Sequence, residues 1–302
     1  MTPRSSASPS ARTARIVRGF DRLADAYERG RPGYPEAAVR HIGRVLHLGP
    51  SRTIVDVGSG TGKFTRALAP LGAARVAVEP TRGMRAVFER VVPDVPVLEG
   101  TAERVPLPDG FADAIVCAQA FHWFRHRTAL REFARVLRPG GGIALVWNSW
   151  NSSAGSTAWW RRVWRIANRY HRREKARSHW RPWQPVFGDP SNPFGPLHYR
   201  KFPNAQRGLA ETFVDRALST SSVAVQSTAE RRRVAREVRE LLQTDPRTRG
   251  RRVLTVPMHT EVYWAFARSP GHRRPGPTGT GRTDPAREWR ARRTTEASPN
   301  AQ

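Results

Sequence analysis

The stretch Thr53-Ile-Val-Asp-Val-Gly-Ser-Gly-Thr-Gly-Lys-Phe64 constrains this chain most, because it runs a short apolar segment straight into three glycines at alternate positions, Gly58, Gly60 and Gly62. Residues 53–57 are β-branched apart from Asp56, the composition of a strand covered on both faces. Phe64 and Leu68 stand at i and i+4, which predicts a helix over 61–69. Alternate glycines let backbone N–H groups approach a ligand with no Cβ in the way, and a helix N-terminus adds partial positive charge. A nucleotide-like ligand at a strand-to-helix turn is therefore the first expectation. A glycine-rich turn with no ligand is the plain alternative. The dinucleotide fingerprint G-x-G-x-x-G fits poorly, since the third glycine comes one residue early and Lys63 takes its place.

A chain of 302 residues can build one large domain or two small ones. Its single cysteine, Cys117, excludes an internal disulfide and every Cys-based zinc pattern, so no metal is expected and a reducing, cytoplasmic setting is. No apolar run reaches the length of a membrane span, and residues 1–10 lack the apolar core of a signal peptide. The net charge of +27 raises nucleic acid as a partner. Yet residues 20–150 hold 18 basic and 13 acidic side chains, so the part carrying the glycine loop is near balance.

Downstream, Arg75-Val-Ala-Val-Glu-Pro80 is a second short apolar strand closing on an acid. In a doubly wound sheet the second strand lies beside the first with its carboxyl end at the same crevice, so Glu79 is the expected ribose ligand; the alternative is a solvated strand-end acid. A helix over 81–92 and strands over 95–98 and 112–118 follow, then a helix over 128–137, a turn over 138–142 and a strand over 143–147. The turn chemistry of Arg138-Pro-Gly-Gly-Gly142 stands on its own, because proline cannot continue a helix and glycine tolerates positive φ.

Four of these segments together resemble a known family. Asp56-x-Gly-x-Gly-x-Gly62, Gly100-Thr-Ala-Glu-Arg-Val-Pro106, Gln119-Ala-Phe-His-Trp-Phe124 and Leu137-Arg-Pro-Gly-Gly141 occur in the order found in class I S-adenosylmethionine-dependent methyltransferases of the type 11 branch, similar to trans-aconitate-methyltransferase-like enzymes. The resemblance implies an α/β, Rossmann-like seven-stranded sheet with helices on both faces, S-adenosyl-L-methionine as cofactor and methyl transfer to a small molecule, with a carboxylate or a secondary metabolite favoured. It implies that Asp56, Gly58, Ser59, Gly60 and Gly62 wrap the cofactor's amino-acid end, and that Thr101, Ala102 and Glu103 hold the adenine, although the family usually has an acid where Thr101 stands. The loop after strand four would face the methyl group, which brings Gln119 to the cofactor and Phe121, His122 and Trp123 to the acceptor. His122 has a pKa near neutrality, so it is the candidate base for an acceptor hydroxyl, a hydrogen-bond donor for a carboxylate, or a packed wall.

Upstream, Phe20, Leu23, Ala24 and Tyr27 share one helical face before Arg31-Pro-Gly-Tyr-Pro35. They read either as packing and a turn or, by the same resemblance, as a lid in which Tyr27 and Arg31 reach the cofactor and Tyr34 the acceptor. Residues 150–183 hold six of the ten tryptophans and nine basic side chains against one acid, Glu174. Trp160, Trp164 and Ala167 share one helical face while Arg161, Arg165, Arg169 and Arg172 take another. A helical cap whose tryptophans roof the acceptor pocket competes here with a surface for single-stranded nucleic acid. Ser227-Thr-Ala-Glu230 predicts a capping box before a helix, and 253–264 a last strand. The expected organisation is a basic disordered start over 1–15, one domain over 16–268 and a basic disordered tail over 269–302. Within the domain, lid helices occupy 16–50, the cofactor core 51–148, the cap insert 149–196 and the closing strands and helices 197–268. An RNA or DNA methyltransferase, an NAD oxidoreductase and a protein that holds the cofactor without transferring its methyl all remain open. The acceptor and the oligomeric state are not legible.

Overall fold

The computed structural model describes residues 19–150, 158–170 and 183–268. The expected disordered ends, and the parts of the insert containing Arg172 and Glu174, lie outside the described residues.

Strands β1 (Thr53–Val57), β2 (Ala74–Val78), β3 (Val97–Leu98), β4 (Ala112–Ala118), β5 (Leu137–Trp150), β6 (His198–Gly208) and β7 (Leu254–Phe266) form one seven-stranded sheet in the order β3-β2-β1-β4-β5-β7-β6. The first five pair in parallel, and β7 runs antiparallel between β5 and β6. Side chains alternate across the sheet with period two. Val55, Ile115, Cys117, Ile143 and Leu145 face a core completed by Leu130, Phe133 and Val136 of helix α5 (His126–Val136). Ile54, Ala114, Val116, Ala144 and Val146 face the opposite core, with Val39 and Ile42 of α2 (Glu36–Val45) and Phe64 of α3 (Lys63–Ala67). A strand buried on both faces needs apolar residues at consecutive positions, which is why β1 and β4 read as continuous runs. Helix α4 (Arg82–Val91) covers the β2–β3 edge through Phe88.

Strand five is longer than expected. Leu137-Arg-Pro-Gly-Gly141 lies at the start of β5 as an irregularity in the strand: Gly140 takes the positive φ of 78° that the turn chemistry calls for, and the register against β4 shifts between Ala112↔Leu137 and Ala114↔Gly142. A Cβ at Gly141 would stand 2.9 Å from the carbonyl oxygen of Asp113, so glycine permits that close approach. The helix expected over 61–69 is α3 with a separate 3-10 turn at Ala69–Leu71.

A second core lies beside the sheet. It joins Trp159, Trp160 and Val163 of α6 (Ala158–Ala167) to Phe213 and Val214 of α7 (Ala210–Leu218), Val234 and Val238 of α9 (Thr228–Thr244), and Leu254, Val256 and Met258 at the start of β7. The insert is thus one wall of a helical unit shared with α7, the short α8 (Ser221–Ala224) and α9. Ser227 caps α9 by accepting the Glu230 N–H at 3.2 Å, whereas the Glu230 carboxylate is held by the Tyr170 hydroxyl.

The N-terminal lid docks on this unit. Helix α1 (Ala24–Gly30) begins after an irregular Leu23 and meets α7 backbone to backbone at Gly30. Glu28 fastens its other side to the loop helix by accepting from Thr61 Oγ1 at 2.5 Å and Arg66 Nη2 at 2.6 Å. A Cβ at Gly30 would lie 2.3 Å from the Arg216 backbone nitrogen. Gly30→Ala is therefore expected to lower unfolding free energy by about 1–3 kcal/mol, the scale of overpacking. Urea unfolding of parent and variant checks this, and equal midpoints would contradict the joint between lid and helical unit.

Candidate active site

The carboxyl ends of β1, β2 and β4 open into a cleft of about 1110 Å³, at the point where the strand order reverses. Its floor is the glycine loop. Gly58, Gly60 and Gly62 all have positive φ, at 71°, 57° and 83°. They nevertheless differ in what they do. A Cβ at Gly58 would press on Ala120 at 2.8 Å, and one at Gly62 on Phe88 and Val92 at 2.7 Å. Only at Gly60 would a Cβ project into open cleft, with Tyr27 its nearest neighbour at 3.9 Å. Gly62 is absent from the cleft wall and serves the packing of α3 on α4, a correction to its expected ligand role.

Glu79 at the end of β2 is buried, and its carboxylate accepts the Gly60 N–H on one oxygen and the Thr81 N–H on the other, each at 2.9 Å. Burial raises its pKa while those hydrogen bonds oppose the rise. The acid thus fixes the loop and still presents lone pairs to the cleft that Glu79, Pro80, Thr81 and Met84 line. Asp56, by contrast, is fully buried behind the loop and absent from the cleft wall. One of its oxygens accepts from Thr65 Oγ1 at 2.5 Å and the other has no partner among the described residues, and burial pushes its pKa up to about 7. Its expected ligand role is corrected to support of α3.

Three more expectations change. Thr101 and Arg104 exchange backbone hydrogen bonds, Ala102 is buried in the core, and Glu103 accepts the Arg125 N–H at 2.7 Å. None of Thr101, Ala102 and Glu103 lines the cleft. Phe121 is fully buried, stacked on His126 at 5.0 Å and edge-on to Trp183 at 5.7 Å, so it supports the acceptor loop from beneath and does not face an acceptor. Tyr34 packs edge-on to Phe64 at 4.7 Å and lines a small niche behind the glycine loop, not the outer cleft. Ser59 shares that niche.

The remaining residues converge on the cleft. Tyr27 and Arg31 border both it and the niche, with the Arg31 guanidinium 4.9 Å from the Tyr27 ring centre. Gln119 adopts φ of 60°, rare for a residue with a side chain, and donates from Nε2 to the Asn148 carbonyl at 3.2 Å. Trp123 is exposed at the rim. His122 accepts a hydrogen bond on Nδ1 from Trp147 Nε1 at 3.3 Å. Burial, then the nearby His126 and Arg31, lower its pKa to about 4. At neutral pH the ring is therefore uncharged with its proton on Nε2, and it offers the cleft an N–H donor. That state disfavours the general-base role, because the basic lone pair is engaged by Trp147.

Sequence reasoning missed Phe124, Pro80 and Met84 as walls, and also Thr220, Ser221 and Ser222, which carry no motif. The insert meets its expectation in part, since Trp150 and Trp164 do border the cleft. Trp159 and Trp160 point into the second core, whereas Arg161, Arg165 and Arg169 border the outer cleft with Trp150, Trp164 and Asn168. Trp159 and Trp160, being buried, are not available as a stacking surface.

Known proteins similar to this chain are methyltransferases. The methyltransferase domain matches residues 55–145. The chain is 32% identical over 225 residues to an uncharacterised methyltransferase-like protein of Schizosaccharomyces pombe, covering 74% of this chain and 86% of that one. The chain belongs to the class I methyltransferase family. It is also 43% identical over 136 residues to an uncharacterised methyltransferase of Mycobacterium bovis, 45% of this chain and 54% of the relative, so it spans about half the length of that protein. The structure of a candidate type II methyltransferase from Anaeromyxobacter dehalogenans superposes with a TM-score of 0.51 at 25% identity, covering 79% of this chain and 97% of that one. Members of this family generally use S-adenosylmethionine. Among the described residues no helix is long and apolar enough to cross a membrane.

The His122 assignment is directly measurable. Proton NMR of its ring is expected to show a titration midpoint near 4, with the Nε2–H form persisting above it. A midpoint near 6.5 would contradict the buried, Trp147-bound state.

Proposed function

We propose that this chain transfers the methyl group of S-adenosylmethionine to a small anionic molecule held in the outer part of the cleft. The observation that carries the reading is the Gly60 peptide: its N–H is fixed by Glu79, its missing side chain leaves open cleft, and every larger residue would fill that space. The residues present fit the cofactor. Glu79 would accept the ribose hydroxyls, the apolar walls of Pro80, Met84 and Phe124 suit the adenine, and Tyr27, Arg31 and Gln119 stand near the amino-acid end. When bound, the cofactor supplies a methyl carbon already activated by its sulfonium.

Displacement at such a carbon asks the protein chiefly to align the acceptor and to exclude water. Tyr27 on α1 and Trp164 on α6 wall the cleft from opposite elements, and Trp123 stands at its rim. Arg165 and its neighbours on α6 put positive charge at the outer wall, which draws a carboxylate or phosphate. A carboxylate acceptor needs no base, which accords with a neutral His122 that donates from Nε2 to an acceptor oxygen and does not take its proton.

Incubating the full chain with methyl-labelled cofactor and panels of small carboxylic acids, phosphates, neutral alcohols and RNA tests this. Label is expected in an acid, none in Gly60→Val, and a KM for that acid raised about 10-fold in Arg165→Gln, the scale of one charge-assisted hydrogen bond. Label recovered only in RNA or in neutral acceptors would contradict the proposal.

A further inference from the structure

Behind the glycine loop, the niche shared by Tyr27, Tyr34 and Ser59 has Arg216 of α7 as a wall. Arg216 is 5% exposed. Its Nη1 donates to Gln206 Oε1 and lies 3.6 Å from Met258 Sδ, and its guanidinium carbon stands 4.4 Å from the Trp160 ring centre. None of these partners is an acid. The neighbouring Asp215 is engaged by Arg29 at 2.7 Å, on the exposed side of the helix joint. Burial, then the charge of Arg31, pull the Arg216 pKa down to about 9, which leaves it protonated at neutral pH. A buried cation with no counter-ion is costly, and natural sequences keep one only where something repays it.

Thr61 and Lys63 of the niche are engaged by Glu28, whereas the side of Arg31 shares the imbalance. Arg31 donates to the carbonyl and hydroxyl of Ser219, at 2.5 and 3.1 Å, and meets no carboxylate among the described residues. The hydroxyl of Ser59 is buried without a partner, and those of Tyr27 and Tyr34 make no hydrogen bond among the described residues. Hydroxyls and two guanidinium groups therefore border the niche, and no carboxylate among the described residues lines it, the nearby Glu28 being taken up by Thr61, Lys63 and Arg66. Arg216 is also tied to the lid, since Gln206 Nε2 donates to the Gly30 carbonyl at 2.7 Å.

We propose that Arg216 is a ligand-binding residue, whose guanidinium acts with that of Arg31 on the carboxylate at the amino-acid end of the cofactor. Helix α7, which lies outside the matched methyltransferase domain, thereby forms part of the cofactor site. The inference rests on the cofactor reading above. It explains why the chain keeps a buried, acid-free arginine where the lid meets the helical unit.

Calorimetry on the full chain separates the two claims. Adenosylhomocysteine carries the amino-acid carboxylate, whereas methylthioadenosine has the same nucleoside and thioether without it. The unaltered chain is expected to bind both, with adenosylhomocysteine the tighter. Arg216→Met is expected to weaken adenosylhomocysteine at least about 10-fold and leave methylthioadenosine unchanged, with partial recovery in Arg216→Lys. Unchanged adenosylhomocysteine affinity, or an equal loss for both ligands, would overturn the role of Arg216 while leaving the cofactor reading intact. Binding of neither ligand by the unaltered chain would overturn both. Should Arg216→Met not fold, decarboxylated adenosylmethionine against adenosylmethionine on the unaltered chain decides: at least about 10-fold weaker binding supports the carboxylate niche, and equal affinities overturn it.

Discussion

The Glu79 carboxylate between two backbone N–H groups is the constraint on which the site depends. β1 and β2 lie in parallel register from Thr53↔Ala74 to Val57↔Val78, so their carboxyl ends finish level. Gly58 and Ser59 then donate to the Val78 carbonyl, Gly60 donates to Glu79, and Thr81 closes the other oxygen. An acid at the tip of β2 therefore shapes the loop at the tip of β1 before any ligand arrives. A loop that needs no reorganisation loses less entropy on binding. Three glycines divide the remaining work: Gly58 and Gly62 let the loop sit against Ala120 and against Phe88, and Gly60 leaves space.

The parts of the fold that follow from period and punctuation were legible in the sequence. β1 spans 53–57 and β4 spans 112–118 as the apolar runs require, and Ser227 caps α9. The seven-stranded sheet follows from the family resemblance, whereas its order and the antiparallel β7 come from the structure. What was not legible is direction. Asp56 and Gly62 belong to the glycine motif but point away from the cleft, because a strand end and a helix start each turn alternate residues inward. Phe121 lies between Ala120 and His122, which both face the cleft, yet the short 3-10 turn at Phe121–Trp123 rotates it into the core. Thr101 to Glu103 close on themselves and on the start of α5. No periodicity argument reports such rotations, and Arg216 had no motif to announce it.

The insert shows how tertiary context decides between two faces of one helix. An amphipathic α6 has an aromatic and a basic side, and the sequence alone permits either to face a pocket. Phe213, Val234 and Val238 provide an apolar core in which Trp159 and Trp160 are buried, while Arg161, Arg165 and Arg169 stand at the cleft with Trp150 and Trp164. Some of that basic charge is tied down, since Arg162 pairs with Asp245 at 2.8 Å and Arg169 donates to Glu237 at 3.0 Å. Positive charge on a chain of net +27 thus has a specific place beside the site as well as a general one on the surface.

Amide hydrogen exchange on the unaltered chain, with and without adenosylhomocysteine, bears most directly on the central claim that the Glu79-held loop is where the cofactor binds. The account predicts slowed exchange confined mainly to residues 58–61, 79–84 and 27–31. Slowing elsewhere with those three segments unchanged, or no slowing at saturating ligand, would contradict it.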